Sequence, residues 1–261
     1  MAKKKRKPQA GIYAGKFWGI NQVALASFRD RIPSGKDRAV AFDLLANMLM
    51  QSRWNFQYPE DEFILSMRQI RELTGWGYDT IRWGIRTLTG ADILYINKAS
   101  KTHTYSVNCE ALGMRPKSQR GKKKALKPYE GEYVGLTGIL IKWLREKLPQ
   151  NQGRKGPERS KCLWILINML VHSEWKAYKG EDEFRMSLYD LESHTGMARH
   201  TVRKYRDMLI EAGFLDMYPG GRGIAASYVL DVGLAGINPR AKGTAKLMDF
   251  SQAGGDDSEK S

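Results

Sequence analysis

Two stretches of the chain carry cations at helical spacing, and these are the residues best suited to chemistry. Tyr78, Asp79, Arg82, Trp83 and Arg86 form one stripe of a helix, because Ile81, Ile85 and Leu88, at i, i+4 and i+7, take the other side. Arg199, His200, Arg203, Lys204 and Asp207 form a second stripe opposite Val202, Tyr205 and Leu209. The chemistry such stripes serve is recognition, not bond-making. An arginine fork, Arg82 or Arg203, matches the O6 and N7 acceptors of guanine. The hydroxyls of Thr80 and Thr201, at the helix starts, suit a phosphate. The plainer alternative is that these cations are solvated or paired along their own helices. Trp83 carries a further alternative, contact with another protein. Arg206 stands where the first helix has Ile85. Either the two helices are rotated differently, or Arg206 snorkels at the edge of a core.

Bond-making chemistry finds no comparable pattern. The four histidines (His103, His172, His194 and His200) share no metal-ligand spacing with a cysteine or carboxylate cluster. Glu60-Asp61-Glu62-Phe63 recurs as Glu181-Asp182-Glu183-Phe184. A two-metal nuclease site needs carboxylates converging from different elements, whereas these are consecutive before a strand, as in a solvated turn. A Walker-type phosphate loop and a nucleophile with a partner base are both missing from the sequence. The expectation is a protein with no enzymatic activity, metal or cofactor. Cys109 and Cys162 cannot build a disulfide framework and read as small buried residues in a reducing cytoplasm.

The elements that position the stripes occur twice. At a shift of 121, Leu45, Asn47, Met48 and Leu49 meet Leu166, Asn168, Met169 and Leu170. Ser52 and Trp54 meet Ser173 and Trp175, and Ser66, Thr74-Gly75, Thr80, Arg82, Leu88, Ala91 and Leu94 meet their counterparts through Leu215. Upstream the shift is 116, where Tyr13, Gly15, Gly19 and Pro33 meet Tyr129, Gly131, Gly135 and Pro149. The five extra residues fall in Asn151 to Arg159, read as a loop. A period this long indicates duplicated domains, not a solenoid.

Each copy opens on a short alternating strand, Tyr13 to Phe17 or Tyr129 to Tyr133. A helix follows, ending at Ile32 or Leu148 before a proline. Next comes a longer helix with one buried face of Ala39, Phe42, Leu45, Ala46 and Leu49, or of Leu163, Ile165, Leu166, Met169 and Leu170. Trp54 and Trp175 beyond it read as core. Ser66 caps a helix that buries Met67, Ile70 and Leu73, and Thr74-Gly75 ends it with the glycine left-handed. The stripe helix runs from Asp79 to Thr89, and strands at 93–96 and 104–107 surround a polar tip. The second copy repeats the order from Ser187, with a helix over His200 to Glu211 and strands at 214–217 and 227–230.

Met186-Ser187-Leu188, Leu191, Thr195-Gly196, Thr201-Val202-Arg203, Leu209 and Ala212-Gly213-Phe214-Leu215 resemble the winged helix-turn-helix pattern of bacterial regulators and of plasmid or phage replication proteins. The first copy matches more loosely, with Gly90-Ala91-Asp92 in place of Glu211-Ala212-Gly213. Two unlike winged helices in one chain also resemble plasmid replication initiators in architecture. The resemblance implies an α+β, mainly helical fold: two tandem winged helix-turn-helix domains, at 11–112 and 129–236. It implies a major-groove role for both stripes and a phosphate or minor-groove role for Lys98, Lys101 and Arg222 at the wing tips.

Charge adds to this reading. The formal net charge of the 261-residue chain is +15. Twelve cations without an acid lie in a basic arm at 1–10 and a basic linker at 113–128, the latter including Lys122, Lys123 and Lys124. Such blocks suit a polyanion, although a solubilising tail has the same composition, and Lys3 to Lys7 also matches a nuclear-localisation pattern. The tail at 237–261 is rich in Gly, Ser and charge, which predicts disorder. There is neither an apolar run of membrane-spanning length nor a secretory h-region. The expectation is a cytoplasmic, nucleoid-associated protein that reads double-stranded DNA at a composite, non-palindromic site, with direct repeats as one arrangement. Replication initiator is the leading role. Alternatives are a transcription regulator, a relaxosome or partition accessory factor, and a protein scaffold whose arm and linker alone touch nucleic acid. Replication or transcription proteins are the further candidate partners.

Overall fold

A computed structural model describes residues 17–51, 62–97, 103–114, 133–148, 158–173, 183–220 and 224–236. It is α+β, with eight helices and small antiparallel sheets among the described residues. The first series is β1 (Phe17–Ile20), α1 (Gln22–Arg31), α2 (Gly35–Gln51), β2 (Glu62–Leu65), α3 (Met67–Thr74), α4 (Tyr78–Gly90), β3 (Leu94–Asn97) and β4 (His103–Val107). The second follows the same order: β5 (Val134–Thr137), α5 (Gly138–Lys147), α6 (Glu158–His172), β6 (Glu183–Met186), α7 (Leu188–Thr195), α8 (Arg199–Glu211), β7 (Leu215–Tyr218) and β8 (Ala226–Leu230).

Local chemistry sets the helix ends. Asn21 and Thr137 accept from the backbone N–H groups of Ala24 and Leu140, at 2.9 and 3.1 Å, and so cap α1 and α5. Ser66 with Gln69, and Ser187 with Asp190, close reciprocal capping boxes on α3 and α7. Gly75 and Gly196, at φ 70° and 66°, end those helices in the left-handed region. The threonine before each glycine has two jobs. Thr74 Oγ1 donates to the Ile70 carbonyl at 2.8 Å and accepts from the Trp76 N–H at 3.2 Å. Thr195 does the same for Leu191 and Met197, at 2.6 and 3.3 Å. Trp76 and Met197 are then buried, anchoring the starts of α4 and α8.

In each series the strand before the capped helix joins the hairpin, giving sheets of order β2-β4-β3 and β6-β8-β7. The opening strand is different. Among the described residues it lies at Phe17–Ile20 and Val134–Thr137, while most of the alternation at 13–17 and 129–133 falls outside them, and β1 pairs antiparallel with β5 of the other series.

The two longest helices hold the centre. The sequence pattern assigns α2 one buried face, but every residue from Arg38 to Met50 is buried, as is every residue of α6 from Arg159 to Leu170. The cause is their packing on each other, with α1, α3 and α4 covering the rest of α2, and α5, α7 and α8 the rest of α6. Phe42 of α2 meets Trp164 of α6 at 5.3 Å between ring centroids, and Phe28 of α1 meets the same indole at 5.9 Å. The buried apolar residues of both series form a single continuous core. The stretch 151–159, read as a loop, ends in helix: Glu158 and Arg159 belong to α6, and Arg159 is 1% exposed.

The contacts between the series are reciprocal. β1 and β5 pair Trp18 with Leu136 and Ile20 with Val134, around Gly19 opposite Gly135, and that central pair differs by the same 116 found in the sequence. Arg38 donates to the Thr195 carbonyl at 3.4 Å, and Arg159 donates to the Thr74 carbonyl at 3.1 Å. Donors and acceptors alike are offset by 121. Residue i touching j while j's counterpart touches i's is the signature of a two-fold relation, here inside one chain.

Candidate nucleic-acid interface

Helices α4 and α8 present the same face to the core. Ile81, Gly84, Ile85 and Leu88 are buried on α4, and Val202, Tyr205, Arg206 and Leu209 occupy the corresponding positions on α8. Of the two readings of Arg206, different helix rotation is therefore excluded. Arg206 sits in the Ile85 position at 9% exposure, with its guanidinium turned onto Asp207 Oδ1 at 2.9 and 2.5 Å. Next to it, Lys161 of α6 donates to the Tyr205 hydroxyl at 2.8 Å.

The opposite faces are solvent-exposed and differ in charge. On α8, Arg199, His200, Arg203 and Lys204 are exposed, with Thr201 half-buried. Arg199 pairs with Glu192 of α7 at 3.3 Å, and Lys204 pairs with Glu158 of α6 at 2.6 Å. That hydrogen bond raises the Lys204 ammonium above its ordinary pKa. His200 and Thr201 contact each other at 3.2 Å. Arg203 forms no ion pair among the described residues and is the freest cation of the helix. The first turn of α8 contains no acid.

On α4, Arg82 pairs with Asp79 at 3.2 Å, and the Tyr78 ring lies beneath Arg71 and Arg82 at 5.1 and 6.0 Å. Arg86 is exposed and has no ion partner among the described residues; Thr80 is half-buried. Trp83 departs from the expected outward stripe. It is half-buried and packs against the core. Both helices also start without a side-chain cap, at Gly77 and Ala198, whereas α1, α3, α5 and α7 each have one. Their first N–H groups thus keep capacity for an outside acceptor.

Lys98, Lys101, Lys122, Lys123, Lys124 and Arg222 lie outside the described residues, as do Trp54, Trp175, the basic arm, the tail and the linker from 115 onward.

Sequence reasoning missed the polar network behind these helices. Asp43 of α2 is 1% exposed and faces Arg159 at 3.5 Å. Its carboxylate also accepts from Ser160 at 2.7 Å and from Asn47 at 2.7 Å. Arg145 of α5 donates to Asn47 Oδ1 at 2.9 Å and to the Leu73 carbonyl. Arginines from the second series therefore hold the C-terminal end of α3, one turn away from α4. A signal was available: Arg38 and Arg159 correspond at the shift of 121, in the first turns of the two longest helices.

Among the described residues no group of three or more metal-binding side chains converges, and no helix is long and apolar enough to cross a membrane. Compared with known protein families, curated proteins and solved structures, the chain matches none.

Proposed function

We propose that the chain binds double-stranded DNA in a sequence-dependent way through two unlike winged-helix heads, with α4 and α8 as the reading helices. One observation carries the reading. Two corresponding helices follow Thr-Gly turns, bury the same face, lack a side-chain cap and turn arginine outward at corresponding positions, Arg82 and Arg203. That is the arrangement a major groove accepts. The acid-free first turn of α8 favours phosphate more than that of α4, where Asp79 competes. The basic arm and linker add the sequence-independent, salt-sensitive part of the affinity. Within this reading the proposed role is replication initiation for a plasmid, phage or other mobile element, which the pairing of two heads in one chain supports.

The test is selection of bound duplexes from a random-sequence pool by the full chain, followed by affinity measurements on the enriched duplex. Enrichment of a defined sequence is expected, together with weaker binding by Arg203→Ala. If the chain enriches nothing, or if Arg203→Ala with Lys204→Ala leaves specific affinity unchanged, the reading fails and the scaffold alternative takes its place. An array of short repeats beside the gene, protected by the chain in footprinting, is the outcome expected of an initiator.

A further inference from the structure

We infer that the two halves of the DNA site run in opposite directions at a single fixed spacing, because the chain is built as an internal two-fold pair. The inference rests on the DNA-binding reading above and adds the geometry of the site to it. Two heads on a flexible tether would accept direct, inverted or variably spaced half-sites. These heads are not on such a tether. The reciprocal β1–β5 register, the α2–α6 packing and the exchange of Arg38 and Arg159 between Thr195 and Thr74 fix one head against the other.

The fixation reaches the reading helices themselves. Thr74 and Thr195 are the last residues of α3 and α7, three residues before the N-caps of α4 and α8. Each is gripped by the long helix of the other series. Gly35, at the start of α2, lies so close that a Cβ there would come within 2.5 Å of the Gly196 carbonyl oxygen. A two-fold relation between heads becomes a two-fold relation between the half-sites they read, as it does when a symmetric dimer meets its operator. The symmetry does not extend to most of the stripe residues. The stripe residues differ, with exposed Tyr78, Asp79 and Arg86 and half-buried Trp83 standing where α8 has Arg199, His200, Asp207 and Lys204. The natural site is therefore two unlike sequences in inverted orientation, with no visible palindrome.

Making the two stripes alike tests this directly. The variant Tyr78→Arg, Asp79→His, Trp83→Lys, Arg86→Asp gives α4 the stripe residues of α8. Selection from a random duplex pool should then enrich a palindrome with one centre-to-centre spacing. Enrichment of a direct repeat, or of half-sites at several spacings, overturns the inference and leaves sequence-dependent binding standing. If the parent chain enriches nothing, the DNA-binding reading itself falls and this inference falls with it.

Should the four-fold variant not fold, the parent framework supplies a second measurement. Cys109 and Cys162 are buried, at 6% and 0% exposure, so a cysteine placed at exposed Tyr78 or Arg199 takes a DNA-cleaving iron chelate selectively. On the duplex selected by the parent chain, Tyr78→Cys and Arg199→Cys should cut at positions related by a two-fold axis, on opposite strands. Cuts related by simple translation along one strand would overturn the proposal.

Discussion

Arg203 and Lys204 are adjacent in sequence but differ in freedom. Arg203 is open to solvent, while Lys204 is hydrogen-bonded to Glu158 at 2.6 Å. Alanine at Arg203 should weaken binding to the selected duplex by about 1–3 kcal/mol and relax preference at one base position, as read by fluorescence anisotropy. Alanine at Lys204 should cost less and act on all sequences alike. Glu158→Ala releases the lysine, so a modest gain in DNA affinity and a steeper salt dependence are expected. Unchanged salt dependence would show that Lys204 does not face phosphate.

His172 and His194 make a separate prediction at this scale. Their rings stack at 3.7 Å. Burial, then the neighbouring His194 and Arg29, push the His172 imidazole down to about 4. Burial lowers His194 as well. An unfolded histidine titrates near 6.5, so both folded rings resist protonation over a range where the unfolded chain accepts it. Stability is full above about pH 6.5 and falls as pH drops towards 4. His172→Gln, the residue that α2 carries at the corresponding Gln51, should flatten that decline by roughly 1–2 kcal/mol at this half-buried site. Urea unfolding at pH 7 and pH 4.5 measures it, and equal pH slopes in parent and variant would refute it.

At the scale of elements, α2 and α6 show how far the sequence could be read. The capped helices, the Thr-Gly turns and the hairpins were legible because each depends on neighbours a few residues away: Ser66 on Gln69, Thr74 on Ile70 and Trp76. The burial of α2 on all sides was not, because α2 also packs on α6, a helix more than a hundred residues away, and a periodicity template that seeks one apolar face does not count Val40, Leu44 and Met48. Asp43 looked like an ordinary polar position for the same reason. Removing one partner of a buried ion pair strands the other, so Asp43→Ala should cost about 3–5 kcal/mol in denaturant unfolding. The double variant Asp43→Ala, Arg159→Ala should cost clearly less than the sum of the singles. Additivity would mean the pair is not coupled. Gly196→Ala strains a left-handed residue and drives a methyl into Arg38, so its cost should exceed the roughly 1–2 kcal/mol of the backbone conformation alone.

At the scale of the whole molecule, the repeat was visible in sequence but its consequence was not. Correspondence at 116 and 121 says that two units are alike; it does not say that they share a core. Because they do, calorimetry should give a single cooperative unfolding transition, with the ratio of calorimetric to van't Hoff enthalpy near one. Two resolved transitions would mean that the halves melt independently. The outward residues of α4 and α8 were legible from helical spacing, apart from Trp83, which is half-buried and packs against the core.

The strand pairing of β1 with β5 also has a history inside the cell. The β1 edge and the side of α2 that meets α6 find their partners only when a segment about 116 to 121 residues later has been made. At roughly 5–20 residues per second of synthesis, that leaves the first half waiting about 6–24 s with an apolar helix and an unpaired strand edge uncovered. The nascent first half is thus a natural client for a chaperone. A message truncated between the halves yields a chain prone to aggregate, so neither half is expected to persist in the cell as a fragment.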